Sequence, residues 1–302
     1  MLNLLLSLLL FLPEIFSKLF LLNIPSSKGV QLDPKQWVIC KLSPAEILGG
    51  PGKDAKTVRS IIEAFSGQTV LPDSSEVKTK DHHISKGKQS IKVREYFNEK
   101  SMNNDHAMMY IHGGGWTVCS LDTHDQLCKS FCNILGNRIF SVDYRLAPES
   151  QYPIPLQDCF DAWDWLITNH NNLNINIENL SVGGDSAGGH LAATLCHYLN
   201  KSNYECFPKS QLLICPVIKP FSTNLSYEEF EEGFYLTARA MHWFSENYVP
   251  NNLSKKDSNL WPLEAKDWDK IPPALIVSSG FDVLRDEALE YVEKLEKENV
   301  KV

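Results

Sequence analysis

The residue pattern with the clearest chemical meaning is Gly184-Asp185-Ser186-Ala187-Gly188, in which a serine stands between two glycines. A serine hydroxyl is a weak nucleophile unless a base removes its proton, and a carbonyl carbon must be able to reach it. A sharp turn between a strand and a helix exposes the hydroxyl, and glycines two residues before and after it avoid clashes there. The apolar run 180–183 and the alanine-rich stretch after Ser186 predict that strand and that helix. We therefore predict that Ser186 is a nucleophile for acyl transfer, with a structural serine in a glycine-rich turn as the alternative.

A second motif, His112-Gly113-Gly114-Gly115-Trp116, follows another predicted strand. Consecutive glycines let the main chain approach a substrate closely and direct N–H groups at a developing oxyanion. We predict that the amides of Gly113 and Gly114 form this oxyanion hole, with the Ala187 amide at the start of the next helix as third donor. His112 is expected to brace the loop rather than act as a base. Trp116 is expected to line the substrate pocket, and a place in the core is the alternative.

A third motif, Asp282-Val283-Leu284-Arg285-Asp286, supplies two candidate acids. Asp282 follows the last predicted strand through a short loop. In hydrolases with a serine elbow the acid follows the serine in the chain and holds a histidine in the correct tautomer. Asp286 fits better as a carboxylate in the first turn of a helix, where the helix dipole favours a negative charge. We therefore predict Asp282 as the catalytic acid.

Alternating strands and helices are predicted around these motifs. Apolar strand runs are expected at the following ranges: 107–111, 138–142, 180–183, 212–215 and 274–278. Amphipathic helices are expected between them, at 125–135, 156–169, 187–200 and 286–299. Continuous apolar strands that alternate with helices indicate a mostly parallel sheet covered on both faces, so the predicted fold class is α/β. Two shorter strands at 77–82 and 91–97 are expected to form a hairpin ahead of this sheet.

The remaining segments give the predicted domain organisation. Residues 1–72 form an N-terminal helical segment with several prolines, and residues 73–215 form the core. Residues 216–271 interrupt the alternation, and an aromatic-rich helix is expected there at 227–248. Residues 272–302 return to the core.

Together these motifs resemble the hormone-sensitive-lipase-like branch of the α/β-hydrolase superfamily. The resemblance is carried by His112 to Trp116, by Tyr144-Arg145-Leu146-Ala147-Pro148-Glu149, by Gly184 to Gly189 and by Asp282 to Glu287. It implies an α/β-hydrolase fold in which the N-terminal helices and the insertion 216–271 form a cap. It also implies hydrolysis of carboxylic esters with short or medium acyl chains, with no metal and no organic cofactor. The segment from Tyr144 to Glu149 is then a structural turn.

The sequence departs from that resemblance at the general base, because no histidine follows Asp282. The resemblance places the base on a loop after one further strand. A strand of about 5–6 residues that begins near Val300, followed by a short loop, would place it roughly ten residues beyond Val302. His190 lies one helical turn after Ser186 and does not face the nucleophile. The expectation is a truncated chain of weak or no activity, with an uncovered apolar edge at 274–277 that favours self-association.

Composition and charge exclude some classes of partner. The 302 residues carry a formal charge of -8 and show no cluster of Lys and Arg, so no nucleic-acid partner is expected. The eight cysteines are scattered, without a CxxC pair or a zinc-ligand spacing. Free and mostly buried thiols in a reducing compartment are therefore predicted, and the expected location is cytoplasmic.

The N-terminus is rich in leucine, and Pro13 and Glu14 interrupt its apolar run. The run is too short to span a bilayer and lacks the basic flank of a secretory signal. Residues 2–24 are expected to pack on the domain, with contact to a membrane surface as the main alternative and an atypical export signal as a further one.

Two other classes of function stay open. A ligand-binding protein on the same scaffold would have dispensed with hydrolysis and would take a small molecule without turning it over. The leucine-rich N-terminus is the only sequence feature that favours a structural protein at a membrane surface. The motifs favour an ester hydrolase that acts on a small ester substrate.

Overall fold

The alternation of apolar strands and amphipathic helices is present in the computed structural model. The structure describes residues 23–42, 48–65, 76–86, 89–219, 221–253 and 257–302. The strands are β1 (Ser26–Ser27), β2 (Val30–Gln31), β3 (Lys78–Lys86), β4 (Gln89–Phe97), β5 (Ala107–Ile111), β6 (Arg138–Asp143), β7 (Leu180–Asp185), β8 (Gln211–Ile214) and β9 (Ala274–Val277). The α-helices are α1 (Pro34–Leu42), α2 (Ala55–Phe65), α3 (Glu99–Met102), α4 (Asp125–Leu135), α5 (Ile154–Thr168), α6 (His170–Leu173), α7 (Ala187–Lys201), α8 (Leu225–Glu229), α9 (Ala238–Tyr248) and α10 (Arg285–Lys297). Two 3-10 turns lie at Ile177–Asn179 and Pro262–Glu264.

Strands β3 to β9 form one sheet in the order β3-β4-β6-β5-β7-β8-β9. The pairs β3/β4 and β4/β6 are antiparallel, and every later pair is parallel. This confirms the predicted α/β fold class with a mostly parallel sheet and helices around it.

The register of the parallel strands brings the three motifs to one edge of the sheet. Ile111 at the end of β5 pairs with Gly184 of β7. Ile214 at the end of β8 pairs with both Asp185 and Val277. The loops after β5, β7, β8 and β9 therefore leave the sheet side by side, as the carboxyl ends of parallel strands do in open α/β sheets.

The two faces of the sheet bury different side chains, as the alternation of a strand requires. On β5, Met108 and Tyr110 pack with Cys128 and Cys132 of α4. Met109 and Ile111 belong to the larger core on the opposite face, which includes buried residues of α5 and α7. All eight cysteines are free, four of them buried and four partly buried, in agreement with the predicted thiols.

Two predicted helical stretches differ in the structure. Residues 26–31, which lie in the N-terminal segment 1–72 predicted to be helical, form a two-stranded hairpin around Lys28 and Gly29, both with positive φ. The single helix expected at 227–248 is two helices, α8 and α9. The chain turns between them at Gly233, and the Thr237 hydroxyl accepts from the Ala240 amide to begin α9. A side-chain cap of this kind starts a new helix because it satisfies one of the first free N–H groups.

The N-terminal segment and the insertion touch each other, although the predicted domain boundaries at 72, 215 and 271 stay predictions. The rings of Trp37 on α1 and Phe234 lie 5.6 Å apart. A side chain at Gly49 would collide with the Trp243 ring of α9. The apolar N-terminal run predicted to pack or to meet a membrane falls mostly on residues 1–22, outside the described ranges. Within those ranges, no helix is long and apolar enough to cross a membrane.

Candidate active site

Ser186 occupies the sharp turn between β7 and α7 in a backbone conformation that L-residues rarely adopt, with φ 52° and ψ −120°. Three backbone hydrogen bonds hold it. Its amide donates to the Ile214 carbonyl at 2.8 Å, and its carbonyl accepts from the amides of His190 and Val217 at 3.0 and 3.1 Å. The residue is partly exposed. A conformation of this kind costs on the order of 1–3 kcal/mol and persists only where its surroundings enforce it, often at functional sites.

The two glycines that flank the serine are required by the packing of α7 against β5. A Cβ at Gly188 would collide with the carbonyl oxygens of Ile111 and His112. A Cβ at Gly184 would collide with the Gly188 backbone and, at 2.6 Å, with the Ile111 oxygen. The glycine spacing thus brings the start of α7 against the loop that follows β5.

The glycine loop after β5 differs from its prediction at one amide. The Gly113 N–H donates to Asp185 Oδ1 at 3.1 Å, which occupies its only proton. The Gly113 amide is therefore not free to donate to an oxyanion, and we withdraw its predicted place in the oxyanion hole. In the described part of the chain, the amides of Gly114, Gly115 and Ala187 donate to no acceptor. Gly114 has a φ of 108°, which only glycine adopts readily, and a Cβ at Gly115 would collide with the Phe244 ring.

Beneath this loop lies a polar cluster centred on the Asp185 carboxylate. Its Oδ1 accepts from the Tyr110 hydroxyl at 2.7 Å as well as from Gly113, and the His124 ring Nε2 lies 3.3 Å away. Burial alone would raise the pKa of Asp185. The His124 charge and the hydrogen bonds from His124 and Tyr110 outweigh it and hold that pKa below its usual range. The short motif around Ser186 contains Asp185 but gives no sign of these partners.

His112 is fully buried and contacts the loop that it was expected to brace. Its Nδ1 lies 2.7 Å from the Gly113 carbonyl, so Nδ1 carries the proton, and its ring stacks on Tyr144 at 4.4 Å. The Tyr144 hydroxyl in turn donates to the His112 carbonyl at 2.9 Å. Burial lowers the pKa of His112 to about 3, which keeps the ring neutral. The bracing role stays a prediction that this geometry supports.

Trp116 does not line a pocket. Its side chain is 0% exposed and stacks on Tyr248 at 4.4 Å with an interplanar angle of 7°. Its Nε1 donates to Nδ1 of His190 at 3.2 Å. The pocket prediction for Trp116 is therefore wrong, and the core alternative is the observed one. Trp116 itself has a positive φ of 56°, a backbone conformation that a five-residue motif does not reveal.

Asp282 lies on the loop between β9 and α10, next to the residue that follows β8. Its Oδ1 accepts from the Leu284 amide at 2.9 Å. Burial raises the pKa of Asp282, and the Leu284 amide and the neighbouring Cys215 side chain oppose that change. Asp286 sits in the first turn of α10 and pairs with Arg285 at 2.8 Å, as its position in the sequence suggested.

Asp282, predicted as the catalytic acid, has no histidine partner among the described residues. All nine histidines are described, and none of their rings forms a hydrogen bond with Ser186 or Asp282. His190 is buried with its Nε2 2.7 Å from the Leu260 carbonyl, and burial lowers its pKa to about 4. The other rings contact different groups or lie elsewhere: His82 at Glu95, His83 on β3, His106 at Asp105, His112 at Gly113, His124 at Asp185, His170 at Ile167, His197 at Tyr291 and His242 beside Phe221 and Tyr227.

Arg59 of α2 is a site-supporting residue that sequence reasoning missed. Its Nε donates to the Thr117 carbonyl at 2.6 Å, just past the glycine loop. Its Nη2 donates to the Ala147 carbonyl at 2.5 Å, and its guanidinium forms a two-pronged pair with Glu149. One side chain thus ties the N-terminal segment to the glycine loop and to the 144–149 turn. No sequence signal near Arg59 indicates contacts across 58 and 90 residues.

The fold, the serine elbow and the glycine loop agree with a comparison against protein families. The family described as having the alpha/beta hydrolase fold matches residues 108–302. The chain therefore belongs to the α/β-hydrolase fold family, and the resemblance to its hormone-sensitive-lipase-like branch is confirmed.

Curated relatives and solved structures with the same fold include several ester hydrolases. The chain is 34% identical over 196 residues to ethyl acetate hydrolase of Pseudomonas putida, covering 65% of this chain and 62% of the relative. It is 38% identical over 196 residues to the carboxylic ester hydrolase LipN of Mycobacterium tuberculosis, covering 62% and 51%. The structure matches the esterase of the archaeon Pyrobaculum calidifontis with a TM-score of 0.79 and 31% identity, over 90% of this chain and 87% of the other. The chain spans about half to three fifths of the length of the two curated relatives.

Proposed function

We propose that the chain carries the nucleophile and oxyanion hole of a carboxylic ester hydrolase. The observation that carries this proposal is Ser186, held partly exposed at a positive φ beside amides that have no acceptor in the described structure. The names of the relatives, which are ester hydrolases, support the same class of reaction. We extend the proposal to small esters with short or medium acyl chains, as the sequence resemblance implies.

In the proposed reaction, Ser186 Oγ attacks the ester carbonyl carbon and its proton passes to a base. The carbonyl oxygen becomes an oxyanion that accepts from the amides of Gly114, Gly115 and Ala187. The first helical turn of α7 favours this charge further. The C–O bond to the alcohol then breaks, the alcohol takes the proton, and an acyl-serine remains. Water attacks that acyl group, which releases the acid and restores the Ser186 hydroxyl.

The proposed role of Asp282 is to orient the imidazole that accepts the Ser186 proton. None of the nine histidines occupies that position in the described structure. We propose that the 302 residues do not supply this base, so they hydrolyse esters slowly. When a serine hydrolase loses a triad member, its oxyanion hole and its substrate binding still accelerate hydrolysis by roughly 10³-fold over the reaction in water.

The direct test is covalent labelling of Ser186 with a fluorophosphonate, followed by mass spectrometry of the labelled peptide. Slow but specific labelling of Ser186 is expected, with none in Ser186→Ala. Ser181→Ala is the matched control, because Ser181 lies on β7 and bonds the Ser210 hydroxyl at 2.9 Å, and its loss should leave the labelling rate unchanged. Labelling spread over other serines, or a rate that Ser186→Ala leaves unaltered, would contradict the proposal.

Added imidazole tests the assignment of the base. A free imidazole can take the proton that the chain has no group to accept. Turnover of p-nitrophenyl butyrate should therefore rise with imidazole concentration in the parent chain and much less in Ser186→Ala. The proposal fails in this part if the parent chain hydrolyses the ester rapidly without imidazole and added imidazole raises its rate no more than that of Ser186→Ala. A base would then be present in the chain.

One observation favours a second function. The Asp282 carboxylate accepts from the Leu284 amide and has no imidazole partner in the described part of the chain. A protein with this arrangement could bind a small ester or a similar ligand without hydrolysing it. Saturable binding of p-nitrophenyl butyrate without labelling of Ser186 would favour that alternative.

A further inference from the structure

The carboxylate that precedes the nucleophile is held by groups that the ester chemistry does not itself require. Asp185 Oδ1 accepts from the Tyr110 hydroxyl and the Gly113 amide, while His124 Nε2 lies 3.3 Å from Oδ1 and 3.4 Å from Oδ2. These partners come from β5, from the glycine loop and from the residue before α4. The His124 and Asp185 side chains are 13% and 24% exposed, so water screens their interaction only in part.

We propose that His124 is a positioning residue whose protonated ring fixes the Asp185 carboxylate, which in turn fixes the glycine loop through the Gly113 amide. The inference rests on the proposed function of the Ser186 site. His124 touches no reacting atom. It acts through Asp185 on the loop that carries the Gly114 and Gly115 amides.

Packing makes the loop sensitive to the position of this carboxylate. A Cβ at Gly113 would collide with Asp185 Oδ2 and, at 2.9 Å, with the Asp185 carbonyl oxygen. Gly113 therefore packs directly against the Asp185 carboxylate, so a displacement of that carboxylate also displaces the glycine. Because Asp185 is the residue next to Ser186, the same carboxylate relates the donor loop to the nucleophile. A small displacement of oxyanion donors is enough to slow catalysis.

Electrostatics favours the charged form of both partners. Burial would lower the pKa of His124, but the charge and hydrogen bond of Asp185 outweigh it and raise that pKa above its usual value. The N-terminal end of α4, which His124 precedes, opposes a positive charge, although less strongly than a direct charge-assisted hydrogen bond favours it. The titratable groups that face the pair from neighbouring elements are Glu63 of α2, Tyr110 of β5, His112 and Cys119 of the loops and Cys128 of α4. Of these, Glu63 adds to the raised pKa of His124, and His112 is neutral because its own pKa is about 3.

The sign of the pH dependence follows from these directions. A raised His124 pKa means that the pair is intact below the usual histidine range and is lost as the pH rises through the raised pKa. A lowered Asp185 pKa means that the pair is lost at the acid end only as the pH falls below the usual aspartate range. The pair should therefore hold the glycine loop at pH values between the pKa of Asp185 and the pKa of His124.

The test compares His124→Gln with the parent chain. Glutamine places an N–H donor near the Nε2 position but carries no charge and does not titrate. His106→Gln is the matched control, since His106 also faces an aspartate, Asp105, at 3.8 Å, but is 50% exposed and lies away from the loop. Two quantities are measured from about pH 6 to about pH 9. They are the exchange rate of the Gly113 amide by NMR and the fluorophosphonate labelling rate of Ser186.

We expect His124→Gln to speed Gly113 exchange and to slow Ser186 labelling by about tenfold near the low end of this range, at about pH 6, because a charge-assisted hydrogen bond is replaced by a neutral one. The ratio of parent to variant labelling rates should fall toward one as the pH rises, because His124 becomes neutral in the parent. His106→Gln should change neither quantity. Taking the ratio removes the pH dependence of the serine itself.

The outcomes separate this inference from the proposed function. If Ser186 labels in the parent but both rates in His124→Gln match the parent at every pH, the positioning role is refuted and the ester hydrolase proposal stands. If Ser186 does not label in any variant, the proposed function fails. Gly113 exchange then still decides whether the protonated ring holds the loop, and equal exchange in parent and variant would overturn that too.

Discussion

At the scale of single residues, Gly188 allows the closest backbone contact in the site. Its Cα faces the carbonyl oxygens of Ile111 and His112, where the first turn of α7 crosses the end of β5. Backbone cannot yield as the tip of a flexible side chain can. A methyl group at this position must therefore displace either the nucleophile turn or the glycine loop.

We predict that Gly188→Ala lowers the free energy of unfolding by about 1–3 kcal/mol, the usual cost of overpacking, and abolishes the labelling of Ser186. Urea unfolding followed by circular dichroism measures the first effect. Gly280→Ala is the control, because a Cβ at Gly280 meets no atom within 4 Å and should change stability by less than about 0.5 kcal/mol. Equal stability of the two variants would show that the contact at Gly188 relaxes without cost.

Residues whose chemistry is local were predictable, and residues that act through distant contacts were not. Ser186 and the need for its flanking glycines follow from a five-residue motif, since a strand-to-helix turn is a local structure. The partners of Asp185 and Arg59 lie 61 and 58 residues away in the chain and leave no local pattern. Trp116 was open to two interpretations because a motif gives the type of a residue but not its burial.

At the scale of elements, α2 is fastened to the site by one side chain. Arg59 donates to the carbonyls of Thr117 and Ala147 and pairs with Glu149, and it is mostly buried, with 22% of its side chain exposed. A guanidinium satisfies several acceptors at once, which lysine cannot do with one ammonium. Removal of this group leaves two backbone carbonyls without their donor.

We predict that Arg59→Met destabilises the chain by about 1–3 kcal/mol and slows the labelling of Ser186, because the end of the glycine loop loses its anchor. Arg239→Met is the control. Arg239 lies 3.7 Å from Glu232, both side chains are more than half exposed, and pairs of that kind contribute about 0–1 kcal/mol. Urea unfolding and labelling rates of both variants make the comparison. A drop in stability with an unchanged labelling rate would limit Arg59 to a structural role.

The edge strand β9 carries apolar side chains that face solvent in the described structure. Leu275 is 63% exposed and Val277 is 47% exposed. We predict that the chain self-associates through this edge at high concentration, and that Leu275→Lys reduces the association, as a charge does on a sheet edge. Light scattering against concentration measures it. Leu225→Lys, on α8 at a residue that is 73% exposed, should leave the association unchanged.

The sequence predicted the parallel strands and their helices because β5, β6 and β7 bury both faces and β9, although partly exposed, is equally apolar, which gives apolar runs. It failed where the pattern mixes signals. The aromatic stretch 227–248 has helical periodicity, but Gly233 and the Thr237 cap divide it into α8 and α9. The hairpin at 26–31 has only two residues in each strand, too few to show an alternation.

At the scale of the whole molecule, pH acts on folding through a buried acid that links α10 to the insertion. Glu287 is 0% exposed, and its Oε1 accepts from the Ile218 amide at 2.8 Å. Burial raises the pKa of Glu287 from about 4.5 to about 8. Between these values the folded chain keeps a proton that the unfolded chain has lost. Each unit of rising pH therefore costs about 1.4 kcal/mol of folding free energy.

We predict that Glu287→Gln removes this slope, since glutamine keeps the acceptor for Ile218 and cannot ionise. The variant should gain stability over the parent as the pH rises from about 5 to about 8, by an amount on the order of 4 kcal/mol at the upper end. Urea unfolding at several pH values measures the difference. The net charge of -8 also weakens folding as the pH rises, but both chains share that effect above the acidic range, so the difference between them isolates Glu287.

Glu290→Gln provides the matched control, because Glu290 lies on the same helix, is 43% exposed and faces Lys219 at 3.7 Å. An exposed pair of this kind has little influence on folding, so its variant should follow the parent within about 1 kcal/mol at every pH. Parallel curves for parent and Glu287→Gln would mean that Glu287 is ionised in the folded chain. The acid would then need a positive partner, whereas the hydrogen bonds to Glu287 in the described part of the chain come from the Ile218 and Lys219 amides.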